Sequence, residues 1–421
     1  MLEGLDQVNW NGMEHAYGPA ADVPDLIRAL ASPDVEKRNE AMHWLYGTIW
    51  HQGTVYEATA YAVPFLIELL QEPEVQDKDA ILSLLAHLAN GSSYLDVHQD
   101  FYPERDEQGT PEFDEQLQRE VSWVRAAHEA VERGVNLYLD LARDARPAVR
   151  MAAVYLVASF TERGARTTPV LLAQMERETD ARVRACILLT LGALGEHGPG
   201  ARERFEQMIA SDAPELLRVA AAMGMVWAER EHAPEAAVRL LVAALAYPQD
   251  ENMEQYADLP WARSTLAGDI CNTLAWLGPR AGRDAVPLLA RALLDPAIAA
   301  SGKAAERPDV NTITFTMTPA DGDESKAVRG AITNVPEAYP ALNILRALLT
   351  LAFAGDEREA TDGQGAPEPQ ALSDEQRTAL KAIVESDSVW ELSMNAAEIL
   401  RAFHLPDSRD GLRALEAAQG N

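Results

Sequence analysis

The sequence is poor in cysteine and in long apolar runs. Only two cysteines, Cys186 and Cys271, occur in 421 residues, and each lies in an apolar run of helical pattern. Because the two runs belong to different predicted helical units, we expect buried, unbridged side chains rather than a disulfide. No uncharged apolar run approaches the roughly 20 residues that span a bilayer, and the N-terminal residues lack the basic and apolar regions of a signal peptide. We therefore expect a cytoplasmic protein with no membrane association.

Basic side chains are scarce as well. The chain has 36 lysines and arginines against 66 aspartates and glutamates, which gives a formal net charge of −30. Such an excess repels phosphate backbones and argues against a nucleic-acid partner. If the partner is charged, the excess favours a basic one. The alternative is that the acidic surface serves solubility alone.

Aromatic residues and alternating β-branched residues are also few. Aromatics make up 6% of a chain that is 47% hydrophobic, so Ala and Leu, which favour helices, supply most of the apolar content. Apart from one segment there is little sustained period-2 alternation, which argues against a large sheet. The composition predicts an all-α protein.

What the sequence does contain is an internal repeat. Arg150, Arg184 and Arg218 are 34 positions apart, and each is followed by an apolar run of helical pattern. Self-similarity at such a period is typical of stacked helical repeats. A second mark is the motif Val-Pro-x-Leu, which opens predicted helices at residues 23, 63 and 286.

These motifs resemble HEAT repeats, and most closely the short HEAT-like repeats of bacterial proteins. Residues 180–185, Asp-Ala-Arg-Val-Arg-Ala, carry the pattern of the second helix best. The resemblance implies a right-handed α-α superhelix, a single solenoid of about 8 helix pairs over residues 1–421. For the repeated charged residues we expect structural roles: Asp180 at a helix N-terminus, and Arg150, Arg184 and Arg218 in bridges to acidic residues of neighbouring repeats.

Four segments depart from the repeat pattern. Residues 91–120 form an acidic insertion that is predicted to be exposed and irregular. Residues 297–333 form a second insertion, in which apolar and hydroxyl residues alternate over 312–318. This alternation predicts a β-hairpin, with a disordered loop as the alternative. Residues 355–370 are predicted to be a flexible spacer, and residues 373–421 a C-terminal repeat and cap.

Aromatic residues are concentrated at one end of the chain, where residues 1–102 contain 11 of the 27. Aromatic side chains with polar neighbours are common anchors at binding surfaces. The alternative is that a terminal repeat uses bulky rings to seal the core. The candidate partner-binding residues are His43, Trp44, Tyr46, Trp50, His51, Tyr56 and Glu57.

Two functional hypotheses follow. The first is a non-enzymatic scaffold whose acidic concave surface binds a protein or peptide, of which an inhibitor or immunity protein is one form. The second is an enzyme, or a metal- or cofactor-binding protein, that uses His43, His51 and Glu57. His43 and His51 are eight positions apart and are predicted to share a helix face. HEAT-like hydroxylases hold two iron ions with several His-Glu dipeptides, whereas this chain has one, His128-Glu129. We therefore expect no metal, no cofactor and no catalytic residue.

Overall fold

The computed structural model describes residues 2–97, 110–195, 200–246, 250–263, 265–296, 312–317, 328–333, 339–353 and 372–418. These residues form 21 α-helices and three antiparallel pairs of short strands. The chain divides into two compact units, residues 1–199 (unit 1) and residues 200–421 (unit 2). The predicted helical-repeat architecture is confirmed. A single solenoid over residues 1–421 stays a prediction.

Unit 1 contains ten helices and two small hairpins within its described residues. The helices are α1 Val23–Ala29, α2 Val35–Thr48, α3 Glu57–Gln71, α4 Lys78–Ala89, α5 Tyr94–Val97, α6 Pro111–Glu132, α7 Val135–Leu141, α8 Pro147–Val157, α9 Gly164–Met175 and α10 Ala181–Leu194. The strands are β1 Glu14–His15 paired with β2 Gly18–Pro19, and β3 Trp50–His51 paired with β4 Thr54–Val55. Each helix packs on neighbours in the chain: α3 on α4 and α6, α4 on α6 and α8, and α8 on α7 and α10. This is the packing of a solenoid.

Helix α10, the second helix of its pair, is covered on nearly every side. Ten of the 14 residues of α10 are buried, as expected for a helix that is apolar all round. The Cys186 thiol donates to the carbonyl oxygen of Met151 at 3.4 Å, and the Thr190 hydroxyl donates to that of Val154 at 3.2 Å. The α8–α10 interface therefore also satisfies its polar groups. Both cysteines are buried and free, as predicted.

An arginine in the first turn of a second helix bridges two repeats of unit 1. On α8, Arg150 Nε and Nη2 donate to the two carboxylate oxygens of Glu178 at 2.8 and 2.9 Å. Its Nη1 donates to the carbonyl oxygens of Asp144 and Ala145 at 2.9 and 3.1 Å. One guanidinium thus binds the loop before its own helix and an acidic residue just before α10. Bidentate pairs of this kind fix geometry as well as charge.

Arg38, which the 34-residue period does not include, makes the same arrangement. On α2 its Nε donates to Asp77 at 2.6 Å, and its Nη1 donates to the carbonyl oxygens of Ser32 and Pro33 at 3.0 and 3.1 Å. By contrast, Arg218 Nε donates to the backbone oxygen of Ile209 at 3.4 Å.

The hydrogen bonds of the repeated residues Arg184 and Asp180 differ from those of Arg150. Within the described residues, Arg184 Nε is buried with no hydrogen-bond partner, so the expected acidic bridge is not formed there. Asp180 caps α10 by accepting from the backbone N–H of Arg182 at 2.9 Å, which satisfies one of the orphan donors of a helix N-terminus.

The first insertion is shorter than predicted. Thr110 caps α6 by accepting from the backbone N–H of Phe113 at 3.3 Å, so helix begins at Pro111. Glu120 is buried and accepts from the backbone N–H of Leu95 at 2.9 Å. The prediction of irregular structure as far as residue 120 is therefore wrong. The part of this insertion at residues 98–109 lies outside the described residues.

Unit 2 continues the helical pattern. Its helices are α11 Ala201–Ile209, α12 Glu215–Glu229, α13 Glu235–Ala246, α14 Asp250–Ala257, α15 Leu266–Ala275, α16 Gly278–Leu293, α17 Pro340–Phe353, α18 Asp374–Glu385, α19 Asp387–Glu391, α20 Ser393–Ala402 and α21 Arg409–Ala418. α12 packs on α11 and α13, and α16 packs on α13, α17 and α18.

The predicted β-hairpin of the second insertion is present as a strand pair. β5 Thr312–Met317 is antiparallel to β6 Val328–Thr333, in a register that runs from Thr312 opposite Thr333 to Met317 opposite Val328. β6 lies beside α20. The rest of this insertion and the predicted spacer at residues 355–370 lie outside the described residues.

Candidate functional site

The aromatic residues of unit 1 surround the connection between α2 and α3. Here the chain forms the β3–β4 hairpin, in which Gln52 and Gly53 have φ of 50° and 95°. Two successive residues at positive φ are the backbone of a type I′ turn, whose twist suits a two-residue hairpin. His51 therefore lies on a strand and His43 on α2. The prediction that these two histidines share a helix face is wrong.

Two hydrogen bonds fasten neighbouring segments to this connection. The Thr59 hydroxyl of α3 donates to the backbone oxygen of Ile49 at 2.6 Å. The backbone N–H of Ala16, between β1 and β2, donates to the oxygen of Thr48 at 3.1 Å. Residues from α2, α3 and the β1–β2 hairpin are therefore held together at one end of the unit.

One aromatic cluster joins α2 and β3 to α4. The rings of Tyr46, Trp50 and His87 meet edge to face, with centroid distances of 5.6 Å for Tyr46–Trp50, 5.5 Å for Tyr46–His87 and 5.1 Å for Trp50–His87. Tyr46 Oη lies 3.1 Å from His87 Nδ1. Burial, and to a smaller extent the nearby Tyr155, raises the pKa of Tyr46 to about 12. Tyr46 and Trp50, both half-buried, thus pack against the exposed His87, a residue that the sequence did not single out.

A second contact joins the β1–β2 hairpin to β3. The rings of Tyr17 and His51 are 5.3 Å apart and edge to face, with Tyr17 Oη 3.5 Å from His51 Nδ1. His15 fixes the base of this hairpin, because its Nδ1 accepts from the backbone N–H of Tyr17 at 3.1 Å and its Nε2 lies 2.9 Å from a carboxylate oxygen of Asp22. Tyr17 remains 66% exposed.

Three aromatic side chains at this end are at least 47% exposed to solvent. They are Tyr17, Trp44 at 47% exposure on α2, and Tyr61 at 51% exposure on α3. His43 is exposed and contacts Trp44 edge to face, with ring centroids 5.8 Å apart. We call these residues, together with His43 and His51, the aromatic surface.

Tyr56 and Glu57, also predicted as candidates, begin α3. The Tyr56 hydroxyl lies 2.8 Å from Thr54 Oγ1, and its backbone N–H donates to Thr59 Oγ1 at 2.9 Å. Burial raises the pKa of Tyr56, against the lowering effect of the bond to Thr54. Tyr56 therefore fixes the start of the helix, whereas Glu57 is half-buried one turn before Tyr61.

The surroundings of this surface are acidic. Residues 1–97 contain 15 acidic and four basic side chains. Of the basic ones, Arg38 and Lys78 are buried, and Lys78 Nζ donates to the backbone oxygen of Leu70 at 2.8 Å. Arg28 is paired with Asp6 and Asp25. The exposed side chains of this end therefore carry an excess of negative charge, and among the described residues Lys37 is its one basic side chain that is neither buried nor paired.

The residues of the alternative hypothesis can be compared with the structure. Within the described ranges, no group of three or more His, Cys, Asp or Glu side chains is placed to hold a metal ion. The alternative hypothesis used His43, His51 and Glu57, which lie on three different elements.

Unit 2 has an aromatic cluster that the sequence did not indicate. Trp227 lies 5.1 Å from Trp261 and 6.0 Å from Trp276, ring centroid to ring centroid. The guanidinium of Arg230 covers the Trp276 ring at 4.6 Å from its centroid. This cluster already contains its own cation, in contrast to the aromatic surface of unit 1.

Comparisons with known proteins concern the repeats. Residues 135–226 match a family model described as HEAT repeats. Among curated proteins, none matches this chain. The chain is similar to a solved structure, the crystal structure of an engineered protein, with 17% identity and a TM-score of 0.25 over 94% of this chain and 97% of that one. No helix in the described part of the chain is both long and apolar enough to cross a membrane.

Proposed function

We propose that the aromatic surface of unit 1 binds a protein or peptide partner. Residues 135–226 match HEAT repeats, which generally serve as scaffolds for protein interactions. The observation that carries the proposal is the exposure of Tyr17, Trp44 and Tyr61 at one end of the unit. Large aromatic side chains are the commonest anchors of protein interfaces.

The proposed partner is basic. Its cationic groups would meet an end of the chain with 15 acidic and four basic side chains. Complementary charge of this kind raises the association rate and the specificity more than the affinity, and salt screens it. Binding should therefore weaken with ionic strength but persist, because the aromatic contacts are less sensitive to salt.

The proposal is tested by capture of partners on the immobilised full-length chain at low and at high salt. The test variant replaces Tyr17, Trp44 and Tyr61 with alanine. The matched control is Trp276→Ala, which removes an aromatic side chain of similar exposure, 45%, from unit 2.

A partner retained by the wild type and by the control, and lost by the triple variant, supports the proposal. Equal capture by all three proteins contradicts it. Capture that does not change with salt concentration contradicts the basic character of the partner.

A further inference from the structure

Two of the exposed aromatic residues of unit 1, Trp44 and Tyr61, each have a carboxylate nearby in the chain. Glu40 precedes Trp44 by four positions on α2, and Glu57 precedes Tyr61 by four positions on α3. Side chains four apart on a helix are neighbours on its surface. Each of these two rings therefore has an acidic group within reach on the same helix face.

These two carboxylates have no basic partner within the part of the chain that the structure describes. Among the described residues, none forms an ion pair or a hydrogen bond with the side chain of Glu40 or Glu57, and none places a cation over the ring of Trp44 or Tyr61. Two other acidic residues of unit 1 do have basic partners: Asp25 pairs with Arg28, and Glu132 pairs with Arg163 at 2.6 Å. Trp44 and Tyr61 thus lie beside negative charge that no described residue neutralises.

An aromatic face beside a carboxylate fits a guanidinium better than an ammonium group. The planar guanidinium stacks on a ring and can donate two hydrogen bonds in a fork to a carboxylate at its edge. A lysine can satisfy the carboxylate, but its compact and strongly hydrated charge is rarely stacked on the ring. Arg230 over Trp276 shows the stacked geometry within this same chain.

We propose that the aromatic surface recognises arginine side chains of its partner, with guanidinium groups stacked on Trp44 and Tyr61 and hydrogen-bonded to Glu40 and Glu57. This inference rests on the proposed function and specifies its partner as an arginine-containing basic segment. Lysine-rich segments of equal charge are bound more weakly.

The test compares two fluorescein-labelled peptides of equal charge, one alternating arginine with glycine and the other alternating lysine with glycine. Binding to the full-length chain is measured by fluorescence anisotropy at physiological salt. Exposed cation–π contacts contribute about two- to fivefold each, so two rings give the arginine peptide a roughly 4- to 25-fold lower Kd. A uniformly acidic surface without rings would bind both peptides alike.

Two double variants are decisive. The aromatic variant combines Trp44→Ala with Tyr61→Ala, and the carboxylate variant combines Glu40→Gln with Glu57→Gln. The aromatic variant removes the arginine preference and leaves the lysine Kd within about twofold, since the ring contacts are lost and the carboxylates remain. Trp44→Phe with Tyr61→Phe keeps the ring faces and so keeps most of the preference. The carboxylate variant weakens both peptides by about two- to fivefold per site.

Matched controls are Trp276→Ala and Glu203→Gln, at exposed residues of unit 2, and both retain wild-type binding. Equal affinity of the wild type for the two peptides, or an undiminished preference in the aromatic variant, overturns the arginine inference. If the aromatic variant weakens both peptides equally, the surface binds partners without selecting arginine, and only the proposed function survives. If the aromatic variant changes the affinity for neither peptide, the proposed function is contradicted as well.

Discussion

Replacing Arg150 with methionine removes the cation that neutralises Glu178 inside unit 1. The two side chains are 13% and 3% exposed, and they are joined by two parallel hydrogen bonds. The same substitution removes the donor to the carbonyl oxygens of Asp144 and Ala145. Breaking a buried ion pair from one side costs about 3–5 kcal/mol, because the remaining charge is left without a partner. We expect Arg150→Met to lower the free energy of unfolding by that amount.

The loss should depend on pH. Burial alone would raise the pKa of Glu178, but the hydrogen bonds from Arg150 and from the backbone N–H groups of Asp180 and Thr179, with the charge of Arg150, hold that pKa below its usual value. A carboxyl group with a lowered folded-state pKa contributes stability above its unfolded pKa of about 4.3, and this stability is lost as the pH falls through the folded value. The wild type and Arg150→Met should therefore differ most at neutral pH and least in acid.

The assay is urea denaturation followed by circular dichroism at pH 7 and pH 4, with hydrogen exchange of the α8 and α10 amides to localise the effect. The double variant Arg150→Met with Glu178→Gln should recover more than half of the loss, because no buried charge remains. Arg184→Met is the comparison, since Arg184 forms no acidic bridge among the described residues. A loss below about 1 kcal/mol for Arg150→Met, or no recovery in the double variant, would refute the reasoning.

Two further predictions concern packing and titration. A methyl group added at Gly134 would collide with the ring of Tyr138, so Gly134→Ala should lower the free energy of unfolding by about 1–3 kcal/mol. A methyl group at Gly47 meets nothing within 4 Å, so Gly47→Ala should raise the free energy of unfolding by about 0.5–1 kcal/mol. Urea midpoints that moved in the same direction for both variants would contradict these two predictions. Because the pKa of Tyr46 is raised to about 12, the stability that its neutral form provides is complete below about pH 10 and is lost toward pH 12. Urea denaturation at pH 9 and pH 11 should show a smaller pH-dependent loss for Tyr46→Phe than for the wild type.

The sequence was sufficient for the helical-repeat fold because burial imposes helical periodicity on every unit. It did not reveal which arginines bridge repeats. Arg150 binds an acidic residue 28 positions ahead, whereas Arg38 binds one 39 positions ahead. The partner of each arginine is therefore set by loop length, which a fixed period of 34 residues cannot express.

The candidate site was predicted only in part, for reasons of local geometry. His87 lies 37 positions beyond Trp50 in the chain, and helix packing rather than sequence proximity brings their rings to 5.1 Å. His51 was assigned to a helix with His43, but the positive φ values of Gln52 and Gly53 form a hairpin turn and place His51 on a strand. Composition shows that aromatic residues are enriched, whereas only packing shows which of them are exposed.

The enrichment of aromatic residues in unit 1 has two explanations, a binding surface and a seal for the end of the core, and the exposure of each side chain distinguishes them. A role in sealing the end of the core accounts for Trp10, which is buried, donates its indole N–H to the backbone oxygen of Leu5 at 2.8 Å, and packs against Phe65. It cannot account for Tyr17, Trp44 and Tyr61, because a side chain that seals a core must itself be covered. The interaction role therefore stays a proposal for these three residues, and the sealing role accounts for buried rings such as Trp10.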